Sequence, residues 1–379
     1  MPTELSYWEK ESFFCNYDAI VIGSGIVGLN AAIHLKKTAP SLKIVILEKG
    51  FLPTGASTKN AGFACFGSIS ELMEQEDLIG SERLAALIEK RWKGLLKLRN
   101  LLGDNTIDYQ CLGGYELFKK EDNFTAETGV SKIEHFNLLV NDIVGSNAFS
   151  LKNRKISLFG FESIGTLIQN KYEAQIDSGK MMSALMQYAQ QLGIGIFNNC
   201  KVDQIKEESK GFCLITQNGN FLCKRLMVTT NAFIKDLYPD VDITPGRGQV
   251  LITKPIPNLK IKGTFHYDKG YYYFRNINER ILLGGGRNID FNAEETTTFG
   301  QTDPVQSVLE HLLKEVILPS TTYEIDYRWS GIMAFGKTLE PFIGEIRPNV
   351  FCATRCNGMG VAIGPQTGED LANLLLTKL

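Results

Sequence analysis

The sequence predicts an α/β (α+β) fold in which a Rossmann-type dinucleotide-binding domain is joined to a second, strand-rich domain. Three observations lead there. Residues 17–48, YDAIVIGSGIVGLNAAIHLKKTAPSLKIVILE, run as apolar strand, glycine turn, helix, apolar strand and acid. The 379 residues, 44% of them hydrophobic, suffice for two cores rather than one. The glycines gather at three separated places: the N-terminal turn, a loop at 53–68, and residues 331–368. That distribution points to one site assembled from distant segments.

Residues 1–16 read as an extended arm. The strand Ala19–Ile22 then enters Gly23-Ser24-Gly25-Ile26-Val27-Gly28. Gly23 permits a tight turn, Gly25 lets backbone approach a pyrophosphate, and Gly28 lets the helix pack close to the sheet. The helix opening near Ile26 aims unpaired N–H groups and the positive end of its dipole at the phosphates. Glu48 ends the second strand, Ile44–Leu47, 20 residues after Gly28. Its carboxylate would accept hydrogen bonds from ribose hydroxyls and repel a ribose phosphate, which argues against NADP. The segment PTGASTKNAGFACFGS (53–68) reads as a loop where backbone meets ligand. Leucines at helical spacing predict helix over 69–103, and residues 104–160 read as short strands alternating with polar stretches. A helix follows at 180–192, then strands at 194–197 and 201–205, and a hairpin of 212–216 with 221–229 turning at Asn218-Gly219. Further strands are expected at 250–253, 271–275 and 281–283, a helix at 305–316, and β then α over 323–379.

Composition excludes several function classes. Net charge is −2 without a basic block, so neither nucleic acid nor an anionic membrane surface is indicated. The glycine turn lacks the following Lys-Ser/Thr of a nucleotide-triphosphatase loop. No apolar run nears the ~20 residues of a membrane span, and no signal peptide is read at the N-terminus. The eight cysteines form no CxxC pair, which suits free thiols in a reducing, cytoplasmic setting. Cys352 and Cys356 lack two further clustered ligands, so no metal is expected.

Gly55-Ala56-Ser57-Thr58-Lys59-Asn60-Ala61-Gly62, beginning seven residues after Glu48, resembles the GAS-x-(Arg/Lys)-Asn-x-Gly loop of FAD-dependent oxidoreductases of the D-amino-acid oxidase type. That group includes glycine, sarcosine and γ-glutamylputrescine oxidases. Pro245-Gly246-Arg247-Gly248-Gln249 resembles its P-x-R-G-Q segment, and residues 327–370 its closing W-x-G … P-x-I-G … N-G-x-G run. The resemblance implies FAD and a glutathione-reductase-like FAD-binding domain (17–108, 170–240 and 326–379). Interleaved with it would be a substrate domain (109–169 and 241–325) on a mixed, largely antiparallel sheet. It also implies oxidation of a C–N bond in a small amine or amino compound to an imine, with oxygen or another acceptor taking the electrons. By residue, Gly23, Ser24, Gly25 and Gly28, with Ile26 and Val27 between them, would line the pyrophosphate. Glu48 would hold the adenosine ribose, with Lys49 beside it. Ser57, Thr58, Lys59, Asn60 and Gly62 would run toward the flavin, and Val202 would meet the adenine edge. Gly331 would also bind the cofactor, and Gly358, Met359, Gly360 and Val361 would meet the flavin's pyrimidine end, where N–H groups opening the last helix stabilise the charge of the reduced form.

The sequence departs from that pattern at the substrate. Met333 stands where such oxidases carry an arginine after W-x-G, and Cys356 precedes Asn357-Gly358 where glycine oxidase has another. Both usual carboxylate anchors are therefore absent, which implies an amine, or an amino compound whose carboxylate lies elsewhere. Residues 332–340 contain no cysteine for a covalent flavin link, so noncovalent FAD is expected. Tyr271, Tyr273 and Arg275 are the candidate substrate residues, Tyr271 and Tyr273 sharing one strand face. Arg247 and Arg275 are read equally as distal carboxylate binders or structural ion-pair partners. A 2-hydroxy-acid or glycerol-phosphate dehydrogenase passing electrons to a quinone shares the FAD motifs. It would need a base, for which only His266 is placed. A nonenzymatic NAD sensor is the third reading.

Overall fold

At the centre of the first sheet lies the strand Asn16–Ile22, buried along Ile20 and Val21 on both faces. An apolar run wetted on neither face belongs in a parallel sheet covered by helices. The computed structural model describes residues 4–378. In it this strand pairs in parallel with Ile44–Leu47 on one side and Gly219–Val228 on the other. Gly195–Phe197 extends one edge, and Val350–Thr354 followed by antiparallel Phe342–Arg347 extends the other. Val202–Glu208 and Gly211–Thr216 form a β-meander with Gly219–Val228.

Two helices on this sheet set the site. Ile26–Thr38 and the C-terminal Gly360–Leu376 pack so closely that a Cβ on Gly368 would stand 2.6 Å from the Val27 carbonyl oxygen and 2.8 Å from the Ala31 nitrogen. Glycine at that contact lets the two helices lie side by side with both N-termini at the same cavity.

The second sheet runs Ile325–Phe335, Thr244–Thr253, Arg280–Gly285, Tyr272–Ile277, Thr264–Tyr267, Gly114–Lys119, Ile164–Asn170, Phe149–Leu151. All neighbours are antiparallel except Thr264–Tyr267 with Gly114–Lys119. One face is a dry core: Phe265 stacks on Phe274 with ring centroids 4.6 Å apart, and Val305 and Leu309 of the helix Asp303–Leu312 pack on it. The opposite face carries Gly246, Gly248, Gly284 and Gly331 and looks into the cavity.

Several sequence expectations change. Residues 1–3 lie outside the described residues, but 7–13 are not extended: Tyr7–Phe13 is a helix started by a reciprocal Ser6–Glu9 capping box. The stretch 104–160 is nearly half helical, with helices at Asn123–Ser131, Ile133–Val144 and Arg154–Phe159 between its strands. The helical pattern over 69–103 breaks at Gly80 (φ +78°) into Ile69–Ile79 and Ser81–Leu102. The hairpin loop is Gln217-Asn218, one residue earlier than its Asn-Gly signal, because Gly219 already pairs with Thr216. Among the described residues no helix is long and apolar enough to cross a membrane.

Candidate active site

The cavity between the two sheets measures roughly 530 Å³. At one end it is bounded by the first glycine turn. Gly23 adopts φ +100° and donates its N–H to the Leu47 carbonyl (2.9 Å), tying the turn to the next strand. Gly28 does not reach the cavity. A Cβ there would stand 2.1 Å from the Gly23 oxygen and 2.5 Å from Thr229 Oγ1, so glycine is demanded by the helix meeting its own turn. Gly25, Ile26 and Val27 do line the cavity. Ser24 does not: its N–H and hydroxyl donate to Glu48 Oε2 at 3.0 and 2.8 Å, while Gly50 N–H donates to Oε1 at 2.9 Å. Three short bonds fix the Glu48 carboxylate at the cavity wall, and its remaining lone pairs are available to hydroxyl donors. Lys49 and Val202 border the same end, with the Lys49 ammonium 3.4 Å from the Phe233 ring centroid; burial lowers its pKa.

The 55–62 loop forms the long wall. Ala56–Lys59 is a single helical turn. Ser57 Oγ accepts from the Ile26 N–H (2.9 Å), so this loop already touches the helix N-terminus. Asn60 donates to the Ser57 carbonyl and accepts from the Gly62 N–H and the Ser178 hydroxyl, which makes it the brace of the turn. Ser57, Lys59, Asn60 and Gly62 line the cavity, whereas Thr58 points away and donates to the Pro53 carbonyl at 2.5 Å. The Lys59 carbonyl accepts from Trp329 Nε1 (2.9 Å), and Gly331 is pressed against this residue. That bond joins the loop to the second sheet.

At the far end, Gly358 (φ +82°) and Met359 lead into the C-terminal helix, whose N-cap makes no side-chain bond to the first turn. Gly358, Met359, Gly360 and Val361 all border the cavity. Two helix N-termini, at Ile26 and Gly360, thus face one cavity, as an elongated anionic ligand requires.

The candidate substrate residues separate. Tyr271, at the rim and 36% exposed, and Tyr273, half-buried, both line the cavity. The Tyr273 ring lies over Gly284, where a Cβ would come within 2.7 Å of it, and its hydroxyl has no protein partner among the described residues. Burial pushes its pKa up to about 12. Arg275 does not line the cavity. Its guanidinium is buried and donates to the carbonyls of Ile176 (2.9 Å) and Gly62 (3.4 Å), pinning the 55–62 loop from behind. Burial lowers its pKa to about 10. Arg247 is likewise consumed: it forms a two-pronged pair with Glu294 at 2.8 Å for each bond. Both arginines turn to protein acceptors rather than to the cavity, acceptors that only the folded chain brings near.

His266 sits in a group that sequence reading did not foresee. Its Nε2 is 2.7 Å from Glu173 Oε1 and its Nδ1 is 3.5 Å from Glu71 Oε2. Burial alone would lower its pKa, but Glu173, Glu71 and Glu116 outweigh that and raise it to about 9. Glu116, buried beside Ser70, is pushed up to about 7. Cys65, Glu173 and His266 bring one ligand atom each within 4.8 Å of one another, but burial keeps the Cys65 thiol protonated and the imidazolium–carboxylate pair accounts for the other two. Arg287, also unforeseen, borders the cavity directly after Gly284-Gly285-Gly286. That glycine run was its only signal.

Comparison with known proteins agrees with this geometry. Residues 18–374 match the family model DAO, FAD dependent oxidoreductase. Glycine oxidase of Geobacillus kaustophilus is 22% identical over 387 residues, covering 96% of this chain and 93% of that protein. γ-Glutamylputrescine oxidoreductase of Escherichia coli is 23% identical over 385 residues, covering 97% and 84%. The crystal structure of the Geobacillus glycine oxidase superposes with a TM-score of 0.75 at 20% identity, over 96% of this chain and 95% of that one. The chain is therefore an enzyme of the FAD-dependent oxidoreductase family, DAO, of the amine and amino-acid oxidase type.

Proposed function

We propose that this enzyme oxidises the C–N bond of a small amine or amino compound to an imine, with oxygen or another acceptor regenerating the cofactor. The carrying observation is the single cavity that joins the first glycine turn, the 55–62 loop and the Gly358–Val361 helix start to the sheet face bearing Tyr273. The residues present fit FAD. Glu48 offers lone pairs where a ribose would lie, two helix N-termini offer N–H groups, and Gly248 and Gly331 leave open a strip of sheet that a Cβ would fill: at Gly248 it would meet Met333 Cε at 3.0 Å. Bound there, FAD supplies acceptance of a hydride equivalent. The chain supplies orientation and a dry wall, with Tyr273, Met333 and Phe63 around the reacting carbon.

A hydroxy-acid substrate needs a base, and His266 is ill suited: paired with Glu173, it keeps its proton at neutral pH. An amine needs none beyond loss of its own proton. The attachment of FAD is taken as noncovalent, because burial raises the pKa of the cavity thiols Cys65, Cys200 and Cys356, and a thiol held protonated is a poor nucleophile. All eight cysteines are free, in keeping with the cytoplasm. The division into an FAD-binding domain (17–108, 170–240, 326–379) and a substrate domain (109–169, 241–325) follows the two sheets except at Ile325–Phe335, which pairs with Thr244–Thr253 in the second sheet.

Anaerobic mixing of the purified protein with panels of amines, amino acids and hydroxy acids tests the reading. Bleaching of the yellow band near ~450 nm by amino compounds is expected. Bleaching by hydroxy acids alone, or a colourless protein that takes up NAD, would refute it.

A further inference from the structure

We propose that Arg287 binds a carboxylate of the substrate, so that the compound oxidised is an amino acid rather than a simple amine. This rests on the reading of the cavity as an amine-oxidising site. Among the described residues Arg287 is the one arginine that borders the cavity, and it makes no side-chain hydrogen bond and has no carboxylate within 4.0 Å. The contrast with Arg247 and Arg275 is physical: neither borders the cavity, Arg247 being forked to Glu294 and Arg275 bonding backbone carbonyls behind the 55–62 loop through Nη1. A half-buried guanidinium cannot shed its proton, so its unused donors are satisfied by water or by a ligand.

Its surroundings select the ligand. The guanidinium carbon lies 4.0 Å from the Phe335 ring centroid and 5.0 Å from that of Phe291. Aromatic walls hold its plane and leave its N–H edge free. Nη1 would stand 3.2 Å from a Cβ on Gly246, which places the group directly over the glycine strip. The Tyr273 hydroxyl lies over Gly248 in the same strand (3.8 Å from a Cβ there), two residues and about 7 Å along. A molecule whose amine carbon rests beside the phenol thus has its other end at the guanidinium. A flat slot with one forked donor matches a planar carboxylate, which it grips with two parallel bonds. The same fork can also grip a phosphate, so phosphate is the rival ligand that the test includes.

The test is titration of the purified enzyme with propionate, propionamide and inorganic phosphate at constant ionic strength. It is followed both by difference spectra of the yellow band and by the shift in melting temperature. Propionate is expected to bind the unmodified enzyme, and Arg287→Met to weaken it about tenfold or more. Arg287→Lys should recover part of the loss, and propionamide binding should be unchanged throughout. In the substrate panel, the preference for amino acids over amines lacking the carboxylate should collapse in Arg287→Met. Arg287→Gln replaces it should that variant not fold. Equal propionate affinity with and without Arg287, no propionate binding to a folded yellow enzyme, or tighter binding of phosphate than of propionate would overturn the proposal. A colourless protein would defeat the flavin reading instead, while the melting shift still decides whether Arg287 binds the carboxylate.

Discussion

At the glycine-turn end, the cavity wall comes from residues close in sequence: Gly23, Gly25 and Ile26 in one turn, and Glu48 at the end of the next strand. At the sheet end it comes from strands far apart in the chain, with Gly246 beside Met333 and Gly284 beside Tyr273 only through pairing. Local construction leaves a readable motif, because each residue's task is set by neighbours a few positions away. Long-range construction does not, because the task of Arg247, Arg275 or Arg287 depends on which acceptor the fold delivers to it.

The sharpest way to break this comparison is to remove a sheet-end arginine that we assign to structure. Arg247→Met leaves Glu294, 0% exposed, without its cation. A broken buried pair of this kind costs about 3–5 kcal/mol. Denaturant unfolding should record that loss, and propionate affinity should be untouched in whatever folds. An affinity loss with unchanged stability would move Arg247 into the binding site.

Next comes the glycine-turn end. Gly28→Ala forces a methyl to 2.1 Å from the Gly23 carbonyl oxygen and 2.5 Å from Thr229 Oγ1, a hydroxyl held by bonds to the Ile22 and Gly23 carbonyls. We expect about 3 kcal/mol of destabilisation and a protein that no longer retains yellow colour. Gly284→Ala meets only the Tyr273 ring, which can turn. That variant should keep its colour and lose turnover. Retention of full cofactor by Gly28→Ala would remove the distinction between the two ends.

Legibility in the sequence follows the same line. The βαβ opening, the loop at 55–62 and the closing helix were all readable, since strand period, glycine position and the acid after the second strand are local signals. Of the helices within 104–160, Ile133–Val144 does carry a helical stripe in Ile133, Phe136, Val140, Ile143 and Val144, whereas the short Arg154–Phe159, with Phe159 alone buried, carries none. Thr58 and Ser24 were placed with ligand-facing residues by motif position, yet their side chains serve the turn itself, bonded to Pro53 and Glu48. The Glu71–Glu116–Glu173–His266 group carries no sequence pattern, since four separate segments bring it together, and Arg287 carries only the glycine run before it.

That buried group predicts a pH effect at the sheet end alone. His266 has its folded pKa raised to about 9 from the ordinary 6.5. The native state therefore holds a proton that the unfolded chain releases, and the stability it confers is complete below about pH 6.5 and lost as pH rises through 9. Glu116, raised to about 7 from 4.5, has the same sign: its contribution falls between pH 4.5 and 7. Stability should decline across pH 6.5–9 by on the order of 2 kcal/mol, and His266→Gln should flatten that slope. An unchanged slope in the variant would place the titration elsewhere.

The smallest effect on stability, and the one that separates packing from binding, belongs to Tyr273→Phe. The hydroxyl has no protein partner among the described residues, so removing it breaks no bond that folding made, and the ring contacts with Phe63 and the Gly284 strip survive. Unfolding free energy should stay within about 0.5 kcal/mol. Cofactor retention should be unchanged as well, since the glycine-turn end is untouched. If the phenol orients the amine, kcat/KM falls about tenfold while melting temperature holds, and Tyr271→Phe at the exposed rim does far less. If kcat/KM also holds, the tyrosine is wall and not tool. Orientation then rests on Arg287 and the shape of the glycine strip, and the sheet end is as much a matter of backbone as the turn at the other end.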